Sequence, residues 1–259
     1  ILGVIAVPVW LYVRDLFRNK ISSRKEVADS VSFPIIGSIS KNKSNDKRVS
    51  FDYSNETAET FRQLRTNMQF LMAGADNKTI QITSMSSGSG KTFVAANLAA
   101  SIAQTGKKVV LVDMDIRNPQ IAEFFDMPES VGISQYLIDD NVTINDLVQK
   151  VKSESNLSIV AGGIIPPNPS ELLMSKRVDM LFEELRRRFD IIVVDSSPLG
   201  QISDSASLNR VADIILIVCR INHTTFAQMN SLGELSLISP LKRIGLIING
   251  VKPSQIYPH

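Results

Sequence analysis

The sequence predicts a doubly wound α/β domain built around a mostly parallel sheet. Two patterns carry that reading. Unbroken apolar runs at residues 109–112 and 191–194 suit central strands covered on both faces. Helical patterns at residues 93–103, 170–188 and 224–238 alternate with such runs. The 259 residues allow one large domain, or a domain with an appendage, and 44% hydrophobic with 21% charged residues supply a sizeable core.

Residues 79–92 organise the rest. A β-branched apolar run closes in a small-residue loop that ends Ser87-Gly88-Ser89-Gly90-Lys91-Thr92, and a helical pattern opens at Phe93. Successive backbone N–H groups of such a loop, with the positive end of the following helix, converge on an anion. Gly88 and Gly90 allow a close backbone approach that a side chain would block. Lys91 reaches the β- and γ-phosphates of a nucleotide, and the Thr92 hydroxyl binds Mg²⁺. The expected cofactor-binding set is Ser87 through Phe93. Met85 stands where the usual pattern has its first glycine, so the motif is degenerate. A glycine-containing turn before an ordinary helix is the alternative.

Two further strand ends decide between these readings. The run at 109–112 closes on Asp113 and Asp115, spaced to point the same way, and the run at 191–194 closes on Asp195. Ligands of open α/β sheets bind at the carboxyl ends of the strands, so these three carboxylates gather where Lys91 and Thr92 hold the phosphates. A lone Asp after a strand is ordinarily a cap or turn former. Three of them in one chain with Gly-Ser-Gly-Lys-Thr mark a nucleotide-binding site.

Residues 1–13 carry no charge, include Trp10 and Tyr12, and precede Arg14, Arg18, Lys20, Arg24 and Lys25. At about 1.5 Å per residue they are too short to cross a bilayer of about 30 Å. They fit the cytoplasmic exit of a transmembrane helix; a buried N-terminal element and a signal-peptide core are the alternatives. The chain starts without Met, in keeping with a fragment. The expected organisation is a membrane-exit and basic juxtamembrane segment over 1–20, a linker over 21–54, and the nucleotide-binding domain over 55–255. Residues 14–48 hold nine Lys/Arg against four Asp/Glu, whereas 49–259 hold nineteen against twenty-two. No basic nucleic-acid face is therefore expected of the main domain. Cys219, the single cysteine, lies in an apolar run and reads as a core thiol in a reducing compartment.

Residues 56–73 predict a helix whose apolar face is Phe61, Leu64, Met68 and Leu71. Glu59, Arg62 and Arg65 form a separate stripe, either a solvated face with one Glu–Arg pair or a subunit contact. Short helical patterns run from Asn118-Pro119 to about Lys152, and a strand at 157–161 leads into a proline-rich loop. A helix from Ser170 to Arg186-Arg187-Arg188 places cations at its C-terminal end, as the dipole favours. A helix start at Ser203-Asp204, a strand at 212–219, the helix at 224–238 and a strand at 244–248 complete the pattern. Asn249 then directs its amide at a ligand base or makes a turn.

Glu59-x-x-Arg62-x-x-Arg65, Gly88-Ser89-Gly90-Lys91-Thr92, Asp113-x-Asp115-x-Arg117, the run from Gly162 through Pro166-Pro167-Asn168-Pro169-Ser170-Glu171-Leu172-Leu173, and Asp195-Ser196-Ser197-Pro198 follow in this order. Over residues 55–252 the set resembles the bacterial tyrosine kinases (BY-kinases) fused to polysaccharide co-polymerases. Each piece alone is shared with the MinD/ParA-like branch of the P-loop NTPases. Those relatives carry a second lysine early in the loop, where Ser86 stands here.

The resemblance implies ATP and Mg²⁺ as cofactors and phosphorylation of tyrosine, largely on neighbouring copies in a ring, an octamer in the family. Glu59, Arg62 and Arg65 would be the ring contact. Lys91 would neutralise the phosphates, Thr92 and Asp195 would place Mg²⁺, Asp113 would contact the metal site, and Asp115 would receive the tyrosine proton. Asn249 joins the cofactor-binding set. The implied setting is the bacterial inner membrane with the kinase domain facing the cytoplasm. The implied partners there are the machinery of capsular or exopolysaccharide polymerisation and export and a tyrosine phosphatase. Two departures stand out. The family's third strand motif usually ends Asp-Thr-Pro-Pro, where this chain has Asp195-Ser196-Ser197-Pro198. Its tyrosine-rich tail is also missing, since Tyr257 is the only tyrosine beyond Tyr136. Either the sequence ends before that tail or the protein lacks those sites. An ATP-switched assembly scaffold and a MinD/ParA-like ATPase are the alternative functions.

Overall fold

The computed structural model describes residues 19–41, 48–51, 55–72, 78–128, 131–199, 207–238 and 243–252. Residues 1–18 of the expected membrane-exit and juxtamembrane segment (1–20), the helix start at Ser203-Asp204 and Tyr257 lie outside them. Among the described residues no helix is long and apolar enough to cross a membrane.

The elements in chain order are α1 (Arg24–Ser30), β1 (Ile35–Ser40), α2 (Glu56–Met72), β2 (Thr79–Ser84), α3 (Lys91–Ala103) and β3 (Val109–Asp113). Then come α4 (Ile121–Phe124), α5 (Ile133–Ile138), α6 (Ile144–Leu147), β4 (Val148–Lys150) and β5 (Leu157–Val160). The chain continues with α7 (Pro169–Met174), α8 (Lys176–Arg188), β6 (Ile191–Asp195), β7 (Ile214–Arg220), α9 (Phe226–Ile238) and β8 (Arg243–Val251). The sheet order is β1-β8-β7-β2-β6-β3-β5-β4. Every pair in it is parallel except β4 with β5. The expected doubly wound, mostly parallel architecture is what the chain builds. After β6 the chain passes β2 to reach β7, so the winding reverses beside β2, where such folds bind their ligands.

The apolar runs are buried on both sides, with residues of alternate parity on opposite faces. Val109, Leu111, Ile191 and Val193 join one core cluster with Ala95, Leu98 and Phe61 from α3 and α2. Val110, Val112, Ile192 and Val194 join the opposite one with Leu181, Phe182 and Leu185 from α8. Phe61 and Phe93 meet edge-on with ring centroids 5.8 Å apart, which locks α2 against the start of α3. Cys219 is buried and its Sγ lies 3.6 Å from Met229 Sδ; burial pushes the thiol up to about 12.

The structure differs from the sequence reading in several elements. The described part of the expected linker over 21–54 is folded into the domain. Its Ser23 caps α1 by accepting from Glu26 N, and its Ile35–Ser40 stretch forms the edge strand β1, paired with β8. Ile21, Val27 and Ile39 are fully buried there. The stretch to Lys152, read as short helices only, ends in the antiparallel strand β4, three residues being too few to show a period. The single helix expected from Ser170 is two. Ser175 is extended, and the Arg210 guanidinium takes the carbonyls of Leu173 and Ser175. Arg187 and Arg188 pair with Glu184, and Arg186 with Asp213, so the basic helix end is satisfied within the domain.

Candidate nucleotide site

The loop after β2 is shaped as the sequence reading requires. Gly88 and Gly90 have φ of +78° and +89°, the left-handed region that favours glycine. Gly90 is the N-cap of the 13-residue helix α3 and offers no side chain to it. The first amides of α3 therefore point, with its positive dipole end, into the space before it. Ser87, Gly88, Gly90, Lys91, Thr92 and Phe93 line a cavity of about 550 Å³ that also takes in Asp115, Arg117 and Gln120. Ser89 is buried behind the loop, its hydroxyl donating to Ser86 O at 2.9 Å. Phe93 fills a wall of this cavity and packs on Phe61.

The three carboxylates converge as their strand ends dictate. Asp113 and Asp195 stand opposite each other in the β3–β6 register. Asp113 Oδ2 accepts from the amides of Gln120 and Ile121, both at 2.9 Å, while its Oδ1 is buried without a partner among the described residues. Asp195 Oδ2 accepts from Thr92 Oγ1 at 2.6 Å, and its Oδ1 is likewise buried without a partner among the described residues. Burial, then the charge of Asp195, pushes Asp113 well above the usual carboxylate range. Burial also raises Asp195 to about 7, against the opposing effects of the Thr92 hydroxyl and Lys91.

Two buried carboxylate oxygens without a partner among the described residues, on groups that burial holds toward the protonated form, are what a cation would satisfy. Among the described residues no group of three or more Asp, Glu, His or Cys side chains could hold a metal alone. The donors present are two carboxylates and the Thr92 hydroxyl, all hard oxygens. That partial set fits Mg²⁺, which is usually held by one or two carboxylates with substrate phosphates and water.

Asp115 stands near enough for its charge to raise both members of this pair, but its own partner differs. It lines the cavity, and its Oδ1 accepts from Ser197 Oγ at 2.7 Å. Ser197 is held in turn by Thr83 Oγ1, which donates to its carbonyl at 2.9 Å. Sequence reasoning noted Ser197 only as a departure from a motif and did not foresee this bond. Asn249 is a second difference. It lies within β8 rather than after a strand, and its buried amide donates to Ser89 O at 2.9 Å, bracing the loop.

The stripe on α2 is only partly open. Arg62 pairs with Glu59 at 3.1 Å and donates to Phe51 O at 2.6 Å, and Arg65 donates to Ser101 O on α3 at 2.6 Å. The Glu–Arg pair within the helix is thus present, and Arg65 ties α2 to α3.

The AAA domain family matches residues 77–243. The chain is 35% identical over 198 residues to the tyrosine-protein kinase YwqD of Bacillus subtilis, covering 76% of this chain and 83% of that protein. It is 33% identical over 193 residues to a putative tyrosine-protein kinase in the cps region of Klebsiella pneumoniae, covering 74% of this chain and 26% of the relative. It thus spans most of the first protein and about a quarter of the second. Among solved structures, the kinase domain of the Escherichia coli tyrosine kinase ETK superposes with a TM-score of 0.81 at 29% identity, over 90% of this chain and 96% of that one. The cell division ATPase MinD of Pyrococcus furiosus superposes with a TM-score of 0.57 at 22% identity, over 70% of this chain and 76% of that one, which is a likeness of fold alone.

Proposed function

Since the chain belongs to the family of bacterial tyrosine kinases, we propose that it transfers the γ-phosphoryl group of ATP to tyrosine side chains of a protein acceptor. The observation that carries this reading is the separation of roles among the carboxylates. Asp113 and Asp195 offer bare oxygens beside Thr92, whereas Asp115 faces the cavity with one oxygen fixed by Ser197.

In this reading the phosphates lie against the amides of the loop and of the α3 N-terminus, and Lys91 neutralises the charge that builds on the oxygens of the moving group. Mg²⁺, when bound, would be held by Thr92 and Asp195, with Asp113 beside them, and would supply positive charge against the phosphates. The phenolic oxygen forms a bond to the γ-phosphorus as the bond to the β,γ-bridging oxygen breaks. The phenolic proton passes to Asp115, and ADP leaves with the bridging oxygen. Catalysis of this kind rests on positioning and charge neutralisation, and these residues supply both.

The wider assignment follows the resemblance set out above. The acceptor is a neighbouring copy, brought close by a ring through Glu59, Arg62 and Arg65, which raises its effective concentration. The setting is the bacterial inner membrane, reached through residues 1–20. There the domain faces the cytoplasm, governs polymerisation, chain length and export of a capsular or exopolysaccharide, and is reset by a tyrosine phosphatase.

The test is phosphotyrosine mass spectrometry on the full chain incubated with ATP and Mg²⁺, beside Lys91→Met and Asp115→Asn. Phosphotyrosine in the parent, reduced about 10²–10⁴-fold by loss of the base, is the expected result. ATP turnover without phosphotyrosine would overturn the kinase reading and leave an ATP-driven scaffold.

A further inference from the structure

Three side chains from beyond the loop hold its backbone. His223 Nε2 lies 2.8 Å from Ser87 O, Arg220 Nη1 donates to Gly88 O at 2.8 Å, and Asn249 Nδ2 donates to Ser89 O at 2.9 Å. A carbonyl only accepts, so the His223 ring carries its proton on Nε2. The three accepting carbonyls are successive.

That succession has a direct geometric consequence. In a trans peptide the C=O of one residue and the N–H of the next point in opposite directions. The carbonyls of Ser87, Gly88 and Ser89 belong to the same peptide planes as the amides of Gly88, Ser89 and Gly90. Fixing the carbonyls toward Arg220, His223 and Asn249 therefore fixes those three amides the other way. Successive amides held in this manner form the concavity that accepts an anion.

The anchoring residues are themselves rigidly placed. Arg220 ends β7 and stands in register with Asn249 of β8, so two of the three donors share one rung of the sheet. The turn that follows is closed by Arg220 N donating to Thr224 Oγ1 at 2.9 Å. It is bound from outside as well: Ile21 N donates to Thr224 O, Asn222 N to Ile21 O, and Phe226 N to Asn19 O. His223 sits within this clamped turn, and a Cβ on Gly88 would meet its ring at 3.2 Å.

We propose that Arg220 and His223 are positioning residues of the nucleotide site, which hold the amides of the phosphate loop in their anion-accepting orientation before the phosphates arrive. The proposal rests on the nucleotide-binding part of the function above. Neither residue is required to touch the nucleotide. Their effect is to spare the ligand the cost of ordering the loop, and it belongs to affinity rather than to the chemical step.

The test is calorimetric titration of the full chain with ADP and Mg²⁺, for the parent and for Arg220→Ala, His223→Ala and His223→Gln, with a melting curve for each. Loss of one such hydrogen bond is expected to raise the Kd for ADP about 3- to 30-fold in Arg220→Ala and His223→Ala, at unchanged Tm. His223→Gln, whose amide still donates, is expected to recover most of the affinity. Folded alanine variants that bind ADP within twofold of the parent would overturn the proposal. So would a His223→Gln variant as weak as His223→Ala, since the hydrogen bond would then not be the cause. A parent that binds no ADP would overturn the nucleotide reading itself, and this proposal with it.

Discussion

Asp113 and Asp195 occupy one rung of the β3–β6 ladder, and each keeps a buried carboxylate oxygen without a partner among the described residues. Both are held above the usual carboxylate range, chiefly by burial. The pair therefore destabilises the ligand-free fold when it is charged, and its stability cost is the counterpart of its affinity for a cation.

That cost has a sign and a window. A carboxylate raised to about 7 in the folded chain binds a proton between its ordinary value and that point, while the unfolded chain does not. Stability contributed by Asp195 is then present at low pH and is lost as pH rises through about 7, and Asp113, raised by burial and by the charge of Asp195, shifts in the same direction. Asp113→Asn removes one charge while keeping an oxygen for the Gln120 and Ile121 amides. In the absence of nucleotide and metal it is expected to raise Tm at pH 8 by about 2–4 °C for each kcal/mol recovered, and to do little at pH 5. Melting curves across pH 5–8 decide it, and a variant-minus-parent difference that stays flat would contradict the pKa assignment.

Ser197 stands where the resembling motif has its first proline, and its hydroxyl donates to Asp115. Its hydroxyl is buried against a charged acceptor, a type of bond worth about 1.5–3 kcal/mol. Ser197→Ala is expected to lower the rate of tyrosine phosphorylation about 10-fold or more with the KM for ATP unchanged, because the phosphate contacts are elsewhere. Steady-state phosphotyrosine formation against ATP concentration measures both. A rate within twofold of the parent would show that Asp115 needs no such support.

The central strands and the loop were legible because their chemistry is written in consecutive residues. Apolar runs ending in Asp113 and Asp195, and Gly-Ser-Gly-Lys-Thr before a helix, leave few alternatives. Strand β1 was not legible. Its Ile35-Ile36-Gly37-Ser38-Ile39-Ser40 breaks the apolar run with small residues. Gly37 is small because the Leu64 side chain of α2 would lie 2.9 Å from a Cβ there, a contact between segments far apart in sequence. Arg220 and His223 escaped for the same reason. Each is a single polar residue at a strand end or turn, and only the pairing of β7 with β8 and the bonds from Asn19 and Ile21 bring them to the loop. Ser170, read only as a helix start, also receives Arg117 Nη2 on its hydroxyl at 2.8 Å, which links the proline-rich loop to the rim of the cavity.

Two glycines with nearly the same backbone separate strain from crowding at the loop. Gly90 and Gly106 have φ of +89° and +86°. A Cβ on Gly106 meets nothing among the described residues within 4 Å, whereas one on Gly90 would come to 2.3 Å from Asn249 Nδ2. Gly106→Ala is expected to cost only the left-handed strain, about 1–2 kcal/mol, and to leave ADP affinity unchanged. Gly90→Ala bears the same strain and also pushes the Asn249 amide off Ser89 O, releasing one of the loop's three anchors. Its Kd for ADP is expected to rise about 10-fold or more, by loss of the anchor and of the loop geometry together. Paired melting curves and ADP titrations on the two variants make the comparison. Equal effects on affinity would mean that Asn249 plays no part in holding the loop.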